Sequence, residues 1–214
     1  MITFLFALSL ACAPVQMPAD GVVKEALAGN LPQDRNALEL IFGFGRPKAG
    51  TVPSVDGTTS YRVVADPTFD QDCFQATVDA VLLDPRSWPG MRPVEPGETP
   101  QVWVVLTRPA DSCGGGNSFS YHCAWPSGPG QGVVTVNYQR WERPINKTHD
   151  PFELHAQVIN HEVGHLLGFD HTQCSVMGGP GYGEWAECPL IVWPSGAEQL
   201  EVAVKQTLFG TPTP

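Results

Sequence analysis

Three histidines and a glutamate stand at a spacing that suits one metal ion, in the run His161-Glu162-Val163-Gly164-His165-Leu166-Leu167-Gly168-Phe169-Asp170-His171. Residues four apart on a helix share a face, so His161 and His165 can turn ring nitrogens onto a single ion about 2.0–2.1 Å from each. Glu162 then stands beside the metal. The helix must stop before a third histidine can return to the ion, and Gly168 is the residue type that enters the left-handed conformation without steric penalty. His171 thereby becomes the third ligand. Three neutral imidazoles leave one Zn2+ positively charged with a position for water, and Glu162 is placed to take that water's proton and pass it to a leaving amine. The expected reaction is hydrolysis of a peptide bond. Two other functions use the same residues: a surface domain that keeps zinc without turnover, and an amidase acting on cell-wall crosslinks. An intact Glu162 argues against the first.

A helix over 151–167 would carry the pair. Asp150 is a good N-cap, Pro151 fits the first helical position and Glu153 completes a capping box. Phe152, Ala156, Ile159, Val163 and Leu166 recur at helical spacing and form an apolar stripe that can be buried against a sheet. Upstream, the spacing predicts a strand at Ser60 to Ala65, a helix near Phe69 to Leu83 and a nearly all-apolar strand at Gln101 to Thr107. The last should be central, buried on both faces, and parallel to the first through a right-handed helical crossover. A further strand runs from about Gly132 to Tyr138, Ser118 to Trp125 reads as an edge strand, and Ala197 to Leu208 reads as a terminal amphipathic helix.

The eleven-residue motif resembles that of the metzincin clan of zinc endopeptidases, in which a methionine-containing turn lies under the metal. Met177, six residues after His171, is the residue that would form it. The run from His171 to Gly179 is similar to that of small secreted bacterial metzincins of the snapalysin type. That group carries Asp at the third ligand position, whereas His171 follows the broader clan. Some metzincins add a tyrosine ligand two residues past the methionine; Gly179 stands there, and Tyr182 is nearby without an assigned role. A wider stretch, from Ser60-Tyr61-Arg62-Val63-Val64 through Val133-Val134-Thr135-Val136-Asn137 and Arg140-Trp141 to Cys188, resembles a family of secreted bacterial zincin-like domains. The resemblance implies an α+β, zincin-like fold: a mixed β-sheet packed on the zinc-binding helix, with a disulfide-stapled C-terminal part. It also implies an antiparallel edge strand at the cleft that holds an extended peptide by main-chain bonds.

The 214 residues, 42% of them hydrophobic, suffice for one ordinary domain with short extensions. A formal charge of -10 argues against nucleic acid or an anionic membrane surface as the partner, since both repel an acidic protein. The expected partner is a protein or peptide substrate, and the expected state is a monomer. The apolar run Ile2 to Ala13 is too short to span a membrane and reads as an export signal. Two outcomes are compatible with it: ordinary cleavage, or lipid attachment at Cys12, since Leu8-Ser9-Leu10-Ala11-Cys12 resembles a bacterial lipobox. The chain is thus expected outside the cytoplasm, secreted or anchored at the bacterial cell surface. Residues 1–12 form the signal, 13–56 a tether and linker with short helices between Gly21 and Phe42, 57–194 the catalytic domain, and 195–214 the terminal helix and tail. Among the cysteines, Cys113 and Cys123 bracket a Gly- and Ser-rich loop, while Cys174 and Cys188 bracket the methionine turn. Each pair is expected to close a loop. Cys73 is left over and expected to be a buried free thiol.

Overall fold

Valine-rich runs make the three inner strands of one sheet. The computed structural model describes residues 57–107, 122–128, 131–142, 149–178 and 188–209. In chain order they form β1 (Thr59–Ala65), α1 (Gln71–Leu82), β2 (Met91–Pro93), β3 (Val102–Thr107), β4 (Cys123–Gly128), β5 (Gln131–Asn137), α2 (Tyr138–Glu142), α3 (Pro151–Leu166) and α4 (Gly196–Phe209). The five strands lie in the order β2-β1-β3-β5-β4. The pairs β1/β2, β1/β3 and β3/β5 are parallel, and β4 alone runs antiparallel, against β5. This is a mixed sheet with helices, in accord with the α+β expectation.

The expected central strand is β3, flanked by β1 and β5 and buried at all six positions. Strands lying inside a parallel sheet are shielded on both faces and read as continuous apolar runs, as Val-Trp-Val-Val-Leu does here. The connection from β1 to β3 runs through α1, which Asp70 caps by accepting the Cys73 N–H at 2.9 Å. Phe74, Val78, Val81 and Leu82 of α1 face the sheet in one core with Ala156, Ile159, Val163 and Leu166 of α3. The two helices are therefore laid side by side on one face.

Three expectations need correction. The edge strand does not span Ser118 to Trp125: β4 begins at Cys123 and continues through Pro126 to Gly128, and residues 118–121 lie outside the described residues. A proline is tolerated there because an edge strand leaves alternate N–H groups unpaired, and the register shifts between Pro126 and Gly128. The short parallel strand β2 was not anticipated; at three residues it has no periodicity to read. Cys73 is disulfide-bonded rather than a free thiol. It sits in the first turn of α1, one position off the stripe that starts at Phe74, so it is half-buried and its sulfur is not enclosed by the core. Cys174 and Cys188 are bonded as expected, with Cα atoms 5.1 Å apart. Cys123 is also disulfide-bonded, while Cys113, Cys12, Gly179 and Tyr182 lie outside the described residues.

Candidate metal centre

Helix α3 starts at Asp150, whose carboxylate accepts the N–H groups of Phe152 at 2.8 Å and Glu153 at 3.3 Å, with Pro151 in the first turn. Its far end is closed by a Schellman motif. Phe169 N–H donates to Gly164 O at 3.0 Å and Gly168 N–H to His165 O at 3.1 Å, with Gly168 at φ 90°. That reversal returns the chain toward the helix it has just left and brings His171 opposite His161 and His165. The three Nε2 atoms form a triangle with every side 3.2 Å.

These nitrogens are not held together by hydrogen bonds. His161 Nδ1 lies 3.0 Å from Val176 O and His165 Nδ1 lies 2.9 Å from Phe169 O. A carbonyl oxygen can only accept, so both Nδ1 atoms carry the proton, and in the neutral ring both Nε2 atoms present a lone pair to the centre of the triangle. Burial above all, then the neighbouring imidazoles, pushes His161 down to about 3; burial likewise lowers His165. Both rings are therefore neutral, the ligating form. A tetrahedral ion with nitrogen ligands at about 2.0–2.1 Å requires them to stand about 3.3–3.4 Å apart, close to the triangle observed. The trio thus fits one divalent ion, and the backbone carbonyls that orient two of the rings are the outer support such ligands usually have.

Glu162 follows His161 on α3 with only 6% of its surface exposed. Burial alone raises its carboxyl to about 8. Met177 is fully buried and packs against Gly164 of α3. Its turn is tied by Met177 N–H to Ser175 Oγ at 3.0 Å, Gly178 N–H to Ser175 O at 2.9 Å and Ser175 Oγ–H to Thr172 O at 3.1 Å. Cys174, at φ 51°, takes a left-handed conformation within that turn. The Val176 carbonyl that orients His161 also accepts from Gln157 Nε2 at 3.3 Å. Gly164 explains how the turn comes so close: a Cβ there would overlap Met177 Sδ and stand 2.8 Å from Trp88 Cζ2.

Several residues that hold this centre were not picked out in the sequence. Trp88 Nε1–H donates to Asn160 O at 2.8 Å, Ser87 Oγ–H to Asn160 Oδ1 at 2.7 Å, and Asn160 Nδ2–H to Val192 O at 3.0 Å. These bonds fix the helix at the residue before His161. Asn160 carried one signal, a polar residue beside the apolar stripe, but its partners lie 72, 73 and 32 positions away. His155 stacks on Trp141 with ring centroids 3.7 Å apart and meets Trp141 O at 2.9 Å. His122, just ahead of β4, accepts the Asn137 N–H on Nδ1 at 3.0 Å, and burial, with smaller effects from His155 and Arg140, pushes it down to about 3.

Comparison with known proteins adds the following. No curated protein matches the chain. Among solved structures it is similar to high choriolytic enzyme 1, a hatching enzyme zinc-protease from Oryzias latipes (medaka fish), at 15% identity and a TM-score of 0.34. That match covers 59% of this chain and 52% of the other, so the chain spans about half the length of the protein it matches. Residues 59–181, more than half of the sequence and including the three histidines, match a family described as a protein of unknown function, DUF3152. The chain belongs to the DUF3152 family.

Proposed function

We propose that the protein is a zinc-dependent, metzincin-like peptidase working outside the cytoplasm. The observation that carries this reading is the convergence of three Nε2 lone pairs, 3.2 Å apart, next to a buried carboxyl group. His161, His165 and His171 would hold one Zn2+. Bound zinc supplies Lewis-acid polarisation of the scissile carbonyl and an acidified water. Glu162 takes a proton on a carboxylate oxygen and returns it to the departing amine; burial raises its proton affinity, which favours holding the proton between the two transfers. Met177, packed against Gly164, keeps the ligands in register with α3. The antiparallel edge β4 offers main-chain groups along which an extended peptide can lie.

Export through the apolar N-terminal run, with or without lipid at Cys12, is part of this proposal. The Cys174–Cys188 bond is consistent with an oxidising compartment, and no described helix is long and apolar enough to cross a membrane. The deciding experiment is metal analysis combined with cleavage of unfolded casein. The wild-type protein should bind one zinc per chain and cleave in a chelator-sensitive way. Glu162→Gln should retain the zinc and lose at least about 100-fold in rate. Metal-loaded protein inert toward casein but active on purified cell-wall material would move the activity to the amidase reading, and inertness toward both would leave a zinc-bearing surface domain.

A further inference from the structure

One imidazole close to the metal centre is not a member of the trio. His122 stands just ahead of β4, the edge strand, and β4 packs along α3. A charge on His122 would be felt at His161, and a charge on His155 is felt at His122, so the ring lies near the stretch of α3 between those two residues. His155 and Glu162 are seven apart, two helical turns, and share a face of α3. His122 is therefore on the side of the centre that carries Glu162.

One hydrogen bond fixes how the ring is protonated. His122 Nδ1 accepts the N–H of Asn137, the last residue of β5, at 3.0 Å. A nitrogen that accepts carries no proton, so the neutral ring holds its proton on Nε2, the opposite tautomer to that of His161 and His165. In this state Nε2 is a donor and not a metal ligand. With Nδ1 turned to the end of β5, Nε2–H points away from that strand. The ring is only half-buried, and among the described residues Nε2–H meets no acceptor. Nearby side-chain amides on α3 are engaged, Gln157 with Val176 O and Asn160 with Val192 O.

Hydrolysis of a peptide bond uses a donor of this kind. As water adds to the carbonyl carbon, the electron pair of the C=O double bond moves onto oxygen, and a fixed N–H aimed at that oxygen lowers the barrier. Building on the peptidase reading, we propose that His122 is a catalytic hydrogen-bond donor whose Nε2–H meets the scissile carbonyl oxygen and the negative charge that gathers on it. The Nε2 proton is shared and stays on His122. The proton released by water goes to Glu162 and from there to the departing amine, so the reaction balances without a further group.

The ring also ties down the end of β5, and two substitutions separate these tasks. His122→Asn keeps an acceptor oxygen where Nδ1 stands but removes the distal N–H, whereas His122→Gln restores an amide N–H near the position of Nε2. The full-length, zinc-loaded protein is assayed on a peptide spanning a casein cleavage site. His122→Asn is expected to lose about 100-fold in kcat, with KM, zinc content and thermal midpoint as in the wild type. His122→Gln should recover at least about 10-fold of that loss. Full activity in His122→Asn overturns the proposal. So does a loss of rate that comes with lost zinc or a lowered midpoint and is not recovered in His122→Gln, since His122 would then support the fold alone. A wild-type protein that binds zinc but leaves casein uncut is a different failure: it removes the peptidase reading, and this role with it, before either variant is compared.

Discussion

At the scale of single residues, the centre is defined by which nitrogen carries the proton. Carbonyl oxygens of Val176 and Phe169 accept from Nδ1 of His161 and His165, and His171, on an exposed segment, is the least enclosed of the three histidines. His171→Ala should therefore lower zinc content to well below one per chain without unfolding the protein; unchanged stoichiometry would exclude this residue as a ligand. The three-histidine cluster was legible in the sequence because a shared metal would need side chains at fixed offsets along a helix and just past its end. His122 and His155 were not, because their environment comes from Asn137 and Trp141 and not from neighbours in sequence. Burial lowers the folded value of both, while the unfolded chain takes up their protons near pH 6.5. A histidine with a lowered folded pKa stabilises fully above its unfolded value, and that stability drains away as pH falls toward the folded value, about 3 for His122. Thermal midpoints of chelator-treated protein are accordingly expected to drop as pH goes below about 6.5. His155→Gln should flatten that slope, and an identical profile in the variant would show that His155 does not contribute to it.

At the scale of elements, α3 is gripped from both sides, by the sheet through Val163 and Leu166 and by the methionine turn through Gly164. Gly164→Ala adds one methyl where Met177 and Trp88 already stand, both fully or almost fully buried, so neither can yield freely. The variant is expected to lose about 1–3 kcal/mol in denaturant unfolding and to bind zinc more weakly. Equal stability would mean that the turn can move away from the helix. Most elements were readable before the structure. The cap at Asp150, the glycine at 168 and the long valine runs are signals local to a few residues. What stayed hidden was decided by pairing. Three residues of β2 gain strand geometry only beside β1, and β4 extends through Pro126 because β5 is there to receive it. Cys73 misled for a similar reason, since one step around a helix separates a core position from one whose sulfur is accessible to another cysteine.

At the scale of the whole molecule, a five-strand sheet carries the helices that present the metal centre on one side, and its edge β4 closes the opposite end from β2. The formal net charge of the chain is -10. The Cys174–Cys188 bond closes a loop that begins three residues past His171 and contains Met177. Replacing both cysteines by serine should cost about 3 kcal/mol, a typical value for a loop of this length. Zinc affinity, read by competition with a chelator, should fall in the same variant; unchanged affinity would show that the bond supports the fold but not the centre. Under the proposed function, a chain whose cysteines are still reduced would hold its metal loosely. Under the same proposal ligation would tighten once the disulfide forms, so the staple would act as a safety catch that keeps the proposed peptidase dormant until then.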